Sequence, residues 1–217
     1  MYGILVILAV VFIYSTVRRR TLEKQVELFN KLLYREKSPE KYIAEIDKLL
    51  LKHQTEKERN INLIQKTTGL LYAGEFEESI TILKDSVSKI PSNWQVIYYH
   101  NLLLCMYLSG DTKEANELLS EVKDTINMYY KKDYNKVTIE LIYAVSDFYN
   151  GNIAGCREFF SNLPYISKND YRIAFGYYFT GKIQEIENKA EDAEESLKKS
   201  MTFGRGSFIE KLQEGQR

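Results

Sequence analysis

Histidine and cysteine, which often serve as catalytic bases, nucleophiles or metal ligands, are scarce in this chain. The sequence of 217 residues holds two histidines and two cysteines. His53 lies in the polar stretch KHQTEK, which is typical of a solvent-exposed helix end, and no histidine stands at metal-ligand spacing from a cysteine. Cys105 and Cys156 each fall within an apolar helical pattern, which favours buried, reduced thiols. The sequence therefore predicts no metal site and no nucleophile–base pair.

Carboxylates and glycines do not form a catalytic pattern either. Paired carboxylates at positions 77–78, 185/187 and 194–195 stand among lysines, which favours solvated helix faces over acid–base pairs. The glycines of Gly151–Gly155 and Gly204–Gly206 match neither a dinucleotide-binding motif nor a phosphate-binding loop. We therefore predict a protein that is not an enzyme and that uses no cofactor.

The balance of charge bears on the partner class. Basic and acidic residues number 30 each, and three of the basic residues are Arg18, Arg19 and Arg20. Without these three arginines, 27 basic residues face 30 acidic ones. A slightly acidic domain argues against a nucleic-acid partner.

Residues 2–17, YGILVILAVVFIYSTV, form an uncharged and largely apolar run. As a helix this run spans roughly 25 Å, near the lower limit for crossing the hydrocarbon core, and the following arginines can reach the headgroups. A cleavable signal peptide would carry its positive charge before the run and small residues at a cleavage site, and neither is present. We predict an uncleaved membrane anchor with a basic stop over residues 1–20. The positive-inside rule places the N-terminus outside and the rest of the chain in the cytoplasm.

Apolar residues after the anchor recur at helical spacing, and strand-like alternation is absent. Short polar turns interrupt the pattern at 37–39, 74–75, 110–111 and 150–152. The sequence predicts an all-α fold of five helix pairs: 22–36 with 39–52, 57–73 with 76–90, 94–108 with 112–130, 135–149 with 152–163, and 169–187 with 190–203.

One spacing recurs through these pairs. In the second pair a turn glycine is followed by an aromatic, a small, a large apolar and a small residue, and then by proline: Gly74, Phe76, Ser79, Leu83, Ser86 and Pro91. This spacing resembles that of the tetratricopeptide-repeat (TPR) family, in which small residues allow two helices to approach closely. The frame returns in later pairs, although the glycine spacings of 36 and 41 residues exceed the standard repeat of about 34.

The resemblance implies a right-handed superhelix of about five antiparallel hairpins over residues 21–203, preceded by the transmembrane helix. A polar tail over residues 204–217 is expected to fray. Eight residues are expected at turn or close-packing positions: Gly74, Ser79, Gly110, Ala115, Gly151, Cys156, Gly181 and Ala193.

In the TPR family the first helices of successive hairpins line a concave groove. That frame gives seven candidate partner-binding residues: Tyr72, His100, Leu104, Tyr107, Tyr149, Tyr178 and Lys182. Such an apolar and aromatic groove suits an amphipathic helix or an extended apolar peptide. Packing of the same side chains within a short, tight superhelix is the alternative, and the sequence leaves both open.

The function expected from this layout is that of a membrane-anchored, non-enzymatic adaptor or scaffold that binds protein partners on its concave face. Two alternatives remain from the sequence. One is a regulator that closes around a small peptide, which an attached output domain would favour. The other is an exported envelope-assembly factor, which would require the anchor to have the opposite orientation.

Overall fold

The computed structural model describes residues 2–214, apart from the side chains of residues 2–11, 13, 14, 213 and 214. Every regular element in this part of the chain is helical. The helices are α1 (Tyr2–Asn30, continued by a π-helical turn over Lys31–Arg35), α2 (Pro39–Leu50), α3 (Glu56–Ala73), α4 (Phe76–Thr81, continued by a π-helical turn over Ile82–Ser86), α5 (Gln95–Ser109), α6 (Thr112–Asn127), α7 (Asp133–Tyr149), α8 (Ile153–Ile166), α9 (Asp170–Ile186), α10 (Ala190–Phe203) and α11 (Phe208–Glu214). The all-α fold predicted from the sequence is confirmed.

Local signals explain where these helices begin and end. Thr55 caps α3 by accepting the backbone N–H of Glu58, while the Glu58 carboxylate accepts the backbone N–H of Thr55. Gly74 and Gly110 end α3 and α5 with φ of 87° and 98°, in the left-handed region where glycine is favoured. Each therefore turns the chain directly into the next helix, and consecutive helices pack against each other.

Small residues stand where paired helices approach most closely. In the last hairpin, a Cβ added to Gly181 would lie 2.7 Å from Cγ of Leu197 and 3.3 Å from the carbonyl oxygen of Ala193. Between the first and second hairpins, the bulky Tyr42 on α2 packs against Gly69 on α3, where an added Cβ would lie 2.7 Å from the Tyr42 ring.

Other expected packing residues are also buried. Ser79, Ala115 and Cys156 have no exposed surface, and Ala193 is 2% exposed. Gly151 has φ of 77° and starts the turn into α8.

The fourth hairpin extends past its expected end. A break is predicted near Pro164, yet α8 continues through it to Ile166. Pro164 has no N–H to donate, and its ring crowds the preceding turn. Gly176 on α9 accommodates this crowding, because a Cβ there would lie 2.7 Å from Cδ of Pro164 and 3.1 Å from the carbonyl oxygen of Phe160.

A single helix replaces the separate anchor and first-hairpin helix expected at the N-terminus. α1 runs from Tyr2 to Asn30, and among its described side chains the first to enter the core is that of Phe29. The structure contains no break at residues 18–22 because no glycine or proline interrupts the helix there.

Within the described residues, no helix combines the length and apolar character needed to cross a membrane. Of the apolar run 2–17, the description includes only the side chains of Phe12, Ser15, Thr16 and Val17. The predicted anchor thus rests mainly on side chains outside the described residues.

The last hairpin contacts the first two, which closes the array. The Tyr171 ring on α9 stacks on that of Tyr72 on α3 with centroids 4.3 Å apart, and lies 6.2 Å from that of Tyr34. The Lys37 ammonium, after the first helix, lies 2.8 Å from the Asp170 carboxylate and donates a 3.2 Å hydrogen bond to the carbonyl of Phe203. The first helices of the hairpins therefore enclose an interior that is continuous from end to end.

The expected frayed tail is wrong over residues 208–214, which form α11. Phe208 and Ile209 are 4% and 1% exposed, and the Phe208 ring packs 5.1 Å from Phe76 and 5.8 Å from Phe175. Gly74 makes room for this contact, since an added Cβ would lie 2.8 Å from Cβ of Phe208. Phe208 and Ile209, which follow the Gly204–Gly206 turn, thus dock α11 on both the second and the last hairpins.

Replacing Ala193 with leucine tests the close packing of the last hairpin. The larger side chain must enter the contact with Gly181, and we expect it to lower the free energy of unfolding by about 1–3 kcal/mol in urea titrations. Ala190→Leu on the exposed face of the same helix is the matched control and should leave stability nearly unchanged. Equal stability of the two variants would contradict the assigned packing.

Phe208→Ala tests the docking of α11. Loss of the buried ring is expected to reduce the free energy of unfolding by about 3 kcal/mol. Leu212→Ala, at a side chain on the same helix that is 44% exposed, should change it by less than about 0.5 kcal/mol. If α11 were not docked on the hairpins, both variants would be as stable as the parent chain, and that result would contradict the docking.

Candidate functional site

The seven candidate partner-binding residues do not line an open groove. Leu104 and Tyr107 have no exposed surface, and Tyr72 and His100 are 5% and 6% exposed. The remaining three, Tyr149, Tyr178 and Lys182, are half-buried. Burial of the first four favours packing within a tight array, the alternative that the sequence leaves open.

Aromatic rings from the fourth and fifth hairpins fill one part of this interior. Phe179 on α9 stacks on Phe160 of α8 with centroids 4.5 Å apart, and its edge or face lies within 6.4 Å of Phe148, Tyr149 and Phe175. Offset and edge-to-face ring pairs of this kind add stability beyond the area they bury. The high aromatic content of the chain therefore serves packing between the hairpins in this region.

Tyr107 also makes polar contacts that join the third and fourth hairpins. Its hydroxyl lies 2.7 Å from Oδ1 of Asn116 and 2.9 Å from Oγ of Ser146, and its ring stacks on Tyr149 at 5.7 Å. The Asn116 and Asn150 side-chain amides exchange hydrogen bonds of 2.7 and 2.8 Å at the same place. These bonds satisfy the hydroxyl without a ligand, so Tyr107 is already fully engaged within the protein.

Asn101 lies off the predicted groove frame, and the structure shows why an amide is present there. Its side-chain N–H groups donate to Oγ1 of Thr68 at 2.9 Å, to Oγ1 of Thr67 at 3.1 Å and to the carbonyl of Ile64 at 3.4 Å. These bonds connect α5 to α3 inside the core. Asn101 thus fixes the register between the second and third hairpins, because a shift along either helix would leave the buried amide unpaired.

His100 has a polar partner on one ring nitrogen. Nδ1 lies 3.0 Å from Oδ1 of Asn101, while Nε2 is buried without a hydrogen-bond partner in the described residues. Burial is the largest effect on its pKa, which falls to about 4; the bond to Asn101 opposes this fall, and the nearby Arg172 guanidinium adds to it. The imidazole is therefore neutral at pH 7 and adds no positive charge to the interior.

The sequence pattern also does not predict a polar contact between α9 and α7. Arg172 on α9 donates a 2.6 Å hydrogen bond to Oγ1 of Thr138 on α7, and it forms no ion pair with any described carboxylate. Burial raises the pKa of the neighbouring Tyr34, which the Arg172 charge opposes. Burial likewise raises the pKa of Tyr72. These hydroxyls stay protonated, so they can donate hydrogen bonds but cannot pair with Arg172 as phenolates.

Metal ligation and similarity to known proteins give no further lead. Among the residues that the structure describes, no group of three or more His, Cys, Asp or Glu side chains could hold a metal ion. Comparison of the chain with protein-family models, curated proteins and solved structures finds no match.

The buried histidine predicts a pH dependence of stability. The unfolded imidazole has a pKa near 6.5 and the folded one a pKa of about 4, so the unfolded state binds the proton first as the pH falls. The stabilisation present above pH 6.5 should therefore be lost between roughly pH 6.5 and 4, by on the order of 3 kcal/mol.

His100→Gln is the matched variant, because glutamine keeps a polar side chain but does not titrate. The difference in urea unfolding free energy between the parent chain and this variant should fall as the pH is lowered through that interval. A difference that stays constant across it would show that the His100 ring is accessible to protons and solvent in the folded state.

Proposed function

We propose that this protein is a membrane-anchored, non-enzymatic adaptor whose TPR-like array binds a protein partner through its outer surface. The observation that carries this proposal is the pairing of a filled interior with an N-terminal helix that leaves the array. From Val17 to Leu28 every side chain except that of Gln25 is exposed. α1 thus extends from the packed hairpins as a stalk, and its far end is the apolar run 2–17.

The TPR-like arrangement is supported by the turn glycines and by the small residues at close approach. Gly74, Gly110 and Gly151 adopt positive φ at the turns within three consecutive hairpins. Ala115 and Ala193 are buried at equivalent places in the third and fifth hairpins. A short right-handed superhelix of five hairpins, closed by α11, accounts for these features and for contacts between the first and last hairpins.

The filled interior directs the search for a partner to the outside. Leu104 and Tyr107 would each have to leave the core before a ligand could touch them, at a cost comparable to deleting a large buried side chain. Exposed surface needs no such change. An adaptor that uses its outer face can therefore bind a partner without opening the array.

The part of the stalk next to the apolar run supports a position of the array beside a membrane. Arg18, Arg19 and Arg20 directly follow the apolar run and are exposed. Arg18 also pairs with Glu58 at the start of α3, at 3.0 Å, and Arg19 pairs with Glu23 at 2.8 Å. Cations at the end of an apolar helix favour the cytoplasmic headgroup region, and we place the array on that side.

Fractionation tests the anchor. The full chain is expected to sediment with membranes and to resist alkaline carbonate, whereas a chain beginning at Thr21 should remain in the supernatant. Replacing Ala9 and Val10 together with arginine should release the full-length protein, since each charge near the centre of the run costs about 2.5–3.5 kcal/mol on insertion. Recovery of the unmodified chain in the soluble fraction would contradict the proposal.

Protease accessibility tests the orientation in the same membranes. Digestion of the array only after the cytoplasmic face is opened would support the proposed orientation, in which the array lies in the cytoplasm. Digestion from the outside would instead favour the exported assembly factor.

A further inference from the structure

A groove lies on the outer face of the fourth hairpin. It has a volume of about 690 Å³ and lies along α7, α8 and the end of the connection that precedes α7. Its lining includes the aromatic residues Tyr143, Phe159 and Tyr165 and the carboxylates Glu140, Asp147 and Glu158. We call this the α7–α8 groove; its size falls within the range of ligand-binding clefts.

Aromatic rings form the walls of the α7–α8 groove. Tyr143 and Phe159 are half-buried, Tyr130 is 39% exposed, and Tyr165 and Ile166 at one end are 82% and 52% exposed. The Lys136 ammonium lies 5.9 Å from the centroid of the Tyr130 ring, and the other rings keep part of their surface exposed. Exposed aromatics at a concave site are typical of the residues that contribute most to protein binding.

Carboxylates supply the charge of the α7–α8 groove. Glu140, Asp147 and Glu158 line it, no lysine or arginine does, and none of the three forms an ion pair within the described residues. Glu140 accepts a 2.6 Å hydrogen bond from the Tyr130 hydroxyl, and Asp147 accepts one of 2.9 Å from the Asn152 amide. These hydrogen bonds hold both carboxylates in place at the groove.

The apolar face of α1 offers a useful contrast. Its cavity of about 630 Å³ is lined by Leu22 and Val26 but also by charges of both signs, including Arg18, Arg19 and Glu23. Arg19 and Glu23 already neutralise each other there. That face therefore selects no particular charge in a partner, whereas the α7–α8 groove does.

We propose that the α7–α8 groove is the partner-binding site of the adaptor and takes a protein segment in which arginine or lysine alternates with apolar residues. This inference rests on the proposed adaptor function and names its partner class. Guanidinium and ammonium groups bind both carboxylates and aromatic faces, which are the two groups that this groove presents. The apolar neighbours in the segment occupy the space beside Phe159 and Ile166.

Direct binding to defined peptides tests the proposal. The purified full chain in a non-ionic detergent is titrated with three fluorescein-labelled octapeptides, in which leucine alternates with arginine, with glutamine or with glutamate, and binding is followed by fluorescence anisotropy. The arginine peptide is expected to bind, and to bind at least about tenfold more tightly than the glutamine peptide, because three carboxylates face it. Added salt should weaken its binding.

Matched variants locate the site. Tyr165→Ala is expected to raise the Kd about tenfold, and Glu158→Gln about fivefold. Their controls are Tyr134→Ala, at a tyrosine that is 75% exposed outside the groove, and Glu194→Gln, at an exposed glutamate on α10. Both controls should bind as the parent chain does, and the circular dichroism spectra of all four variants should match that of the parent.

Several results would overturn the proposal. Equal binding of the arginine and glutamine peptides would show that charge is not recognised. Binding that is insensitive to both groove variants, or no binding of the arginine peptide at all, would exclude this groove as a site for basic segments. Because the peptide assay does not depend on membrane attachment, its failure leaves the fractionation result intact; a soluble full chain would refute the anchor without affecting the peptide result.

Discussion

The stacking of Tyr171 on Tyr72 is the contact on which the rest of this structure depends. These rings belong to the last and second hairpins, and their centroids are 4.3 Å apart. A row of hairpins that each touched only its neighbours would leave its concave side open. Here the row returns on itself, and the concave side becomes a core.

Closure has consequences for every polar group on the inner helices. Asn101 must find its partners within the protein, and it does so on Ile64, Thr67 and Thr68. His100 loses its proton because a charged imidazole would be buried without water. The interior therefore stabilises the fold, while α1 and the α7–α8 groove keep apolar and aromatic side chains exposed on the outside.

Much of this fold could be predicted from the sequence because its signals are local. Helical periodicity and the turn residues around Gly74, Gly110 and Gly151 specify the helix pairs to within a few residues, except at the N-terminus, where α1 begins at Tyr2 and runs without a break into the first hairpin. Docking of α11 depends on Phe208 meeting Gly74, two residues far apart in sequence. Such a long-range contact leaves no periodic trace, so residues after Gly204 read as a polar tail.

The candidate site was harder to predict for a related reason. The repeat frame expected from the sequence assigns Tyr72, Leu104 and Tyr107 to one concave face, and the structure buries all three. Periodicity cannot tell an open concave face from a closed one. That distinction depends on the contact between Tyr72 and Tyr171. The α7–α8 groove is not evident from the sequence, because periodicity does not show that Glu140 and Asp147 on α7 line one groove with Tyr130 and with residues of α8.

Proximity of the Tyr72 and Tyr171 rings is the most direct test of the closed array. In the protein labelled with carbon-13 at tyrosine, ring signals can be assigned from spectra of Tyr72→Phe and Tyr171→Phe, and cross-relaxation between the two rings can then be measured. A closed array predicts strong nuclear Overhauser effects between them, because the ring centroids lie 4.3 Å apart. Two resolved and assigned ring signals without any such effect would show that the second and last hairpins stand apart, and would contradict the closed interior.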